Sequence, residues 1–175
     1  MRDTTGQKRG RTAGRAIAAA LVGLVLSVAA VSPASGTGGS VDREIDGIGH
    51  GVVVTTYGVP TTFVGDERAE LSHLGDSTLH VEGTSTLTET GVELAGTAVI
   101  VAANGDELRS TFRGPGTITQ TGVEATVVGV VTGGTGRFEH ASGTITDHVV
   151  LTVTAVSLPN VTASATSTLS GTVEY

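Results

Sequence analysis

The chain has no cysteine and no tryptophan, and only five aromatic residues in 175. Without cysteine there is no disulfide and no thiolate metal site, so the fold is held by packing and hydrogen bonding alone. Beyond residue 34 there is no lysine, and five arginines stand against 16 acidic residues, a net charge of −11. Such a chain repels nucleic acid and anionic membranes, and the basic patch of a nucleic-acid binder is missing. A Gly-x-Ser-x-Gly nucleophile elbow and a His-x-x-x-His ligand pair are also missing. No 3.6-residue apolar period runs through residues 35–175, which argues against a helical domain.

What is present begins with a sorting signal. Arg2, Lys8, Arg9, Arg11 and Arg15 precede an apolar run from Ala16 to Val31, and small residues follow at Ser32-Pro33-Ala34-Ser35-Gly36. This is the order of a secretory signal peptide, expected to span 1–34 with cleavage after Ala34, and it makes the product secreted. The run is shorter than the roughly 20 residues of a spanning helix, and an uncleaved membrane anchor is the alternative. Residues 35–48, rich in Gly, Ser, Asp and Glu, read as a flexible leader. That leaves 49–175 as one domain.

In that domain apolar and polar residues alternate, with valine, threonine and glycine dominant, so the reading is all-β. Eight strand-like segments lie at about 49–57, 61–70, 76–88, 92–103, 106–113, 116–132, 143–156 and 160–174. Turn residues separate them, including Gly114-Pro115-Gly116 and Asn104-Gly105, the latter expected as a type I′ hairpin turn. Connections this short make neighbours antiparallel, and eight such strands close most simply into an up-and-down barrel without free edges. Leu79, Val81, Ser85 and Leu87 share the inner face of the third strand; Val161, Ala163, Ala165, Leu169 and Val173 share that of the last. Val127–Val131 and Val149–Leu151 are apolar on both faces, which leaves Val128, Val130 and Val150 outside as an expected interface with further copies of the chain.

The densest glycine cluster is Val131-Thr132-Gly133-Gly134-Thr135-Gly136-Arg137-Phe138, followed by Gly143. It lacks the lysine of a P-loop and the third glycine of a dinucleotide fingerprint. It reads instead as a tight strand connection in which Phe138 turns back into the core. The pattern Gly133, Gly134, Thr135, Gly136, Phe138 and Gly143 resembles the signature turn of the allene oxide cyclase barrel and dirigent superfamily. Ala69–Thr78 is similar to the strand-turn-strand of its secreted bacterial members. The resemblance implies an eight-stranded barrel, often a homotrimer. Relatives cyclise an unsaturated epoxide or polyketide intermediates, or steer radical coupling. Their catalytic residues lie outside the motif, so none is carried over by position.

Candidate chemistry is sparse. In Ile145-Asp147-Val149-Leu151-Val153 the carboxylate of Asp147 falls on the inner face, where it must be paired, at the mouth, or protonated. It is the candidate catalytic or ligand-binding group, with Tyr57 and Ser110 as candidate partners. His80 and Glu82 share a face but have no third ligand, so no metal is expected, and no cofactor motif is present. The resulting expectation is a secreted, non-enzymatic barrel that binds a small apolar ligand in its lumen or serves as a surface or structural module. The alternative is a cyclase or isomerase of the allene oxide cyclase or dirigent type, working in a lumenal cavity. The shortage of aromatics weighs against both lumenal readings, because ligand cavities are usually lined with them.

Overall fold

The computed structural model describes residues 40–175; the expected signal peptide and residues 35–39 of the leader lie outside them. Eight strands follow one another: β1 (Asp42–Thr56), β2 (Thr61–Leu71), β3 (Gly75–Leu87), β4 (Val92–Val101), β5 (Glu107–Ile118), β6 (Gly122–Gly134), β7 (Ser142–Ser157) and β8 (Asn160–Glu174). Each pairs antiparallel with its successor, and β8 pairs back onto β1, so the sheet is a closed eight-stranded barrel. The alternation of residue types becomes an alternation of burial. In β2 every second residue from Phe63 to Leu71 is buried and those between are exposed.

Three local expectations are corrected. β1 begins at Asp42, so residues 42–48 are strand and not leader. The reason is Ile45, which is fully buried and lies opposite Gly171 of β8. Gly114-Pro115-Gly116 is inside β5, and the turn to β6 comes later, at residues 119–121. These glycines serve close backbone approach: a Cβ on Gly114 would lie 2.8 Å from Val127 Cα. At Asn104-Gly105 only the glycine has positive φ, 88°. Gly105 N–H donates to Ala102 O at 2.8 Å, and Ala102 N–H donates to Asp106 O at 2.9 Å. That is the geometry of a type I turn closed by a left-handed glycine, not type I′.

The two ends of the barrel differ. At the end holding residues 72–74, 102–106 and 135–141, a cluster that includes Ile45, Leu71, Leu74, Leu108, Phe138 and Val173 fills the interior. Phe138 is fully buried, meets Tyr175 edge-on at 4.7 Å between centroids, and has the Arg137 guanidinium 4.6 Å from its ring centre. The glycine cluster makes this plug possible. β6 ends at Gly134, a 3₁₀ turn covers Gly136–Phe138, and Gly133, Gly136 and Gly143 take φ of 110°, 57° and 135°. Thr135 Oγ1 accepts the Glu107 N–H at 2.9 Å, tying the turn to β5. The other end holds residues 57–60, 88–91, 119–121 and 158–159, and residues of the first and third of these turns line an unfilled part of the interior. Among the described residues no helix is long and apolar enough to cross a membrane. Val128, Val130 and Val150 stand exposed on the outer face.

Replacing Phe138 by alanine removes the largest fully buried side chain and opens a cavity that rigid strands cannot collapse. The expected loss is about 3–5 kcal/mol in denaturant unfolding. A loss under about 1 kcal/mol, the scale of a surface substitution, would show that the plug does not hold the barrel.

Candidate functional site

The unfilled part of the barrel is a lumen of about 710 Å³, within the range of small-molecule sites. Its wall is apolar, built mainly from Val53, Phe63, Leu94, Val127 and Val149, with Leu79, Ile100, Ile145 and Leu169 towards the plug. Three of the five aromatics, Tyr57, Phe63 and Phe112, line it, and the other two sit in the plug. The overall scarcity of aromatics therefore does not carry over to the lumen.

Two carboxyl groups face each other in this apolar setting. Glu67 of β2 is 5% exposed, and Asp147 of β7 is partly buried; both line the lumen. Between them lies Ser167 of β8, fully buried, whose Oγ is 3.2 Å from Glu67 Oε1 and 3.2 Å from Asp147 Oδ2. The remaining oxygens, Glu67 Oε2 and Asp147 Oδ1, are buried without a hydrogen-bond partner in the protein. Gly49 and Gly51 of β1 make the room: a Cβ at Gly49 would lie 2.8 Å from Glu67 Oε2, and one at Gly51 2.7 Å from Glu67 Cγ.

The serine sets the proton count. Its hydroxyl carries one hydrogen and can donate to only one carboxylate. It bridges both only if the other carboxyl is protonated and donates to it. Burial, and then the neighbouring Glu67 carboxylate, push Asp147 up to about 7, against the opposing hydrogen bond from Ser167. Burial also raises Glu67, opposed by Ser167 and by the charge of His50. Up to about pH 7 Asp147 therefore holds a proton beside Glu67. An apolar lumen thus ends in an acid that can donate a proton and a carboxylate that can accept one.

The candidates named from the sequence fall in different places. Asp147 is in the pair. Ser110 lines the same lumen from β5 but makes no hydrogen bond to Asp147. Tyr57 stands at the mouth, 56% exposed, just past the end of β1 and six residues beyond Gly51. Gly133, Gly134, Thr135, Gly136, Phe138 and Gly143 shape the plugged end and not the lumen wall. His80 Nδ1 sits 2.7 Å from Asp66 Oδ1 on the outer surface, and no group of three potential metal ligands occurs among the described residues. Glu67 and Ser167 were not singled out from the sequence. The signal existed: Glu67 interrupts Phe63-Gly65-x-Ala69-Leu71, and Ser167 interrupts Val161-Ala163-Ala165-x-Leu169.

The pair makes stability depend on pH. Unfolded Asp147 loses its proton near 3.8, whereas the folded group keeps it to about 7. Between these values the native state binds more protons, so stability falls as pH rises, and the loss is complete above about 7. At 1.36 kcal/mol per unit the Asp147 contribution is about 4 kcal/mol at most. Asp147→Asn is expected to flatten the fall in melting temperature between pH 4 and 7.5, compared with the parent chain. Parallel curves for the two proteins would mean that Asp147 titrates normally.

No family model matches the chain, and no curated protein matches it. Among solved structures it is similar to a pterocarpan synthase dirigent protein, with 17% sequence identity and a TM-score of 0.48 over 78% of this chain and 86% of that one.

Proposed function

We propose that this barrel is a receptacle for a small, largely apolar molecule that carries a hydroxyl group. The observation that carries this reading is the pair of unpartnered acceptor oxygens, Glu67 Oε2 and Asp147 Oδ1, in an apolar lumen of about 710 Å³. A buried acceptor without a donor is costly, and a ligand hydroxyl that donates to either oxygen removes that cost for the one it reaches. The apolar wall supplies affinity and the pair supplies orientation. Secretion of the folded barrel, read from the leader, belongs to the same proposal.

The geometry also favours a second reading. Two buried carboxyl groups bridged by Ser167, one of them keeping its proton up to about pH 7, are suited to proton transfer, the requirement of a cyclase or isomerase. The resemblance of the glycine turn to allene oxide cyclase and dirigent proteins points the same way. In this version Asp147 donates to a substrate oxygen, Glu67 accepts, and the lumen folds the substrate.

Native mass spectrometry and calorimetry with a panel of hydroxylated apolar compounds test the first reading. One ligand per chain is expected. Asp147→Asn and Ser167→Ala, with circular dichroism unchanged, should weaken binding about 5- to 30-fold, the equivalent of one or two kcal/mol for lost hydrogen bonds. Binding that is indifferent to both substitutions would overturn it. If Asp147→Asn instead retains affinity while abolishing conversion of the bound compound, the cyclase reading replaces the receptacle.

A further inference from the structure

Exposed apolar side chains occur along the outer wall as well, at 38–53%, but the most exposed ones lie together. Among the described residues the six highest, at 55–105% exposure, are Val59, Leu158, Leu87, Val156, Tyr57 and Ile118. All six belong to the mouth. Tyr57 and Val59 are in the β1–β2 turn, Leu87 ends β3, Ile118 ends β5, and Val156 and Leu158 are at the β7–β8 turn. Tyr57, Val59, Leu87 and Ile118 also line the lumen, so the rim and the cavity wall form one continuous apolar surface.

Charge is divided the other way. The four mouth turns, residues 57–60, 88–91, 119–121 and 158–159, contain a single charged residue, Glu89. The plugged-end turns, residues 72–74, 102–106 and 135–141, contain three, Asp106, Arg137 and Glu139. Polar but uncharged Thr88, Thr119, Gln120, Thr121 and Asn160 sit among the apolar rim residues. Apolar side chains at loop tips, a tyrosine and neutral hydrogen-bonding groups fit the headgroup boundary of a bilayer. A net charge of −11 over residues 35–175, with no lysine, disfavours anionic lipid. A second copy is a poorer fit, since two facing rims would meet as rings around an open hole instead of a packed interface core.

We propose that the barrel docks mouth-first on an uncharged lipid surface, so that an apolar ligand passes between bilayer and lumen without crossing water. The transfer rests on the lumenal ligand site; the docking does not.

Because the chain has no cysteine, one introduced thiol takes one label. An environment-sensitive fluorophore is placed on Leu158→Cys at the mouth, or on Asn104→Cys at the plugged end, in the full-length chain. With phosphatidylcholine vesicles the label at 158 is expected to shift to the blue and brighten several-fold, while that at 104 does not change. Phosphatidylglycerol vesicles are expected to give a smaller response. The label at 104 separates contact through the mouth from contact through the plugged end. Overturning results are a response at 104 alone, none at either site, or a response at 158 that grows with protein concentration without lipid. The last would identify a second copy as the occupant.

Val156→Asp with Leu158→Asp, neither of which lines the lumen, is expected to cut flotation with phosphatidylcholine vesicles about tenfold or more. Binding of a soluble lumenal probe should be unaffected. Unchanged flotation would overturn the docking. Flotation in a chain whose lumen takes up no probe would support docking and remove transfer.

Discussion

The pairing of β1 with β8 is the contact on which the rest of this structure depends. It runs from Asp42↔Glu174 to Thr56↔Asn160 and turns an open sheet with two unpaired edges into a barrel. In a chain without disulfides this closure does the work of a covalent staple. It also creates the site. Asp147, Ser167, Gly49 and Glu67 lie on β7, β8, β1 and β2, four neighbouring strands that straddle the closing seam. Glu67 and Ser167 are 100 residues apart in sequence and 3.2 Å apart in space.

Closure alone does not decide what the interior is for. An eight-stranded barrel is just wide enough to be filled by its own side chains or to hold one small ligand. This barrel does both, at different heights. Leucine, isoleucine and Phe138 fill the end near the glycine turn. Higher up, Gly65, Gly83, Gly96 and Gly129 occupy inward positions among Val53, Val81 and Phe112, and the interior stays open. The glycines at 133, 136 and 143 release the backbone so that Phe138 can seat; those at 49 and 51 make space for the Glu67 side chain. One residue type thus builds the plug and the pocket, in one place through positive φ and in the other by having no side chain.

The same polarity extends to the surface. The rim is apolar and nearly uncharged, whereas the plugged end carries both termini of the barrel and most of the turn charges. Apolar residues at hairpin tips are costly in water, and turn positions normally favour polar residues. Their concentration at the one end where the lumen opens ties surface and cavity into a single feature.

The sequence by itself determined the class of fold. Period-two alternation, short turn-rich connections and the absence of helical periodicity required antiparallel strands, and eight of them pointed to a closed barrel. It also placed Asp147 inside, because its neighbours at 145, 149, 151 and 153 are all apolar. The limits had physical causes. Ile45 lies between polar and glycine residues, and it is the pairing of 42–48 with β8, with Ile45 buried, that makes the segment a strand. Gly114-Pro115-Gly116 has the composition of a turn, yet close approach to β6 keeps it in β5. The carboxyl pair was beyond local pattern altogether. Alternation tells which face a residue is on, but not which residue of another strand shares its height. That is set by register and by closure between residues a hundred positions apart, so only the tertiary structure could bring Glu67, Ser167 and Asp147 together in an open lumen.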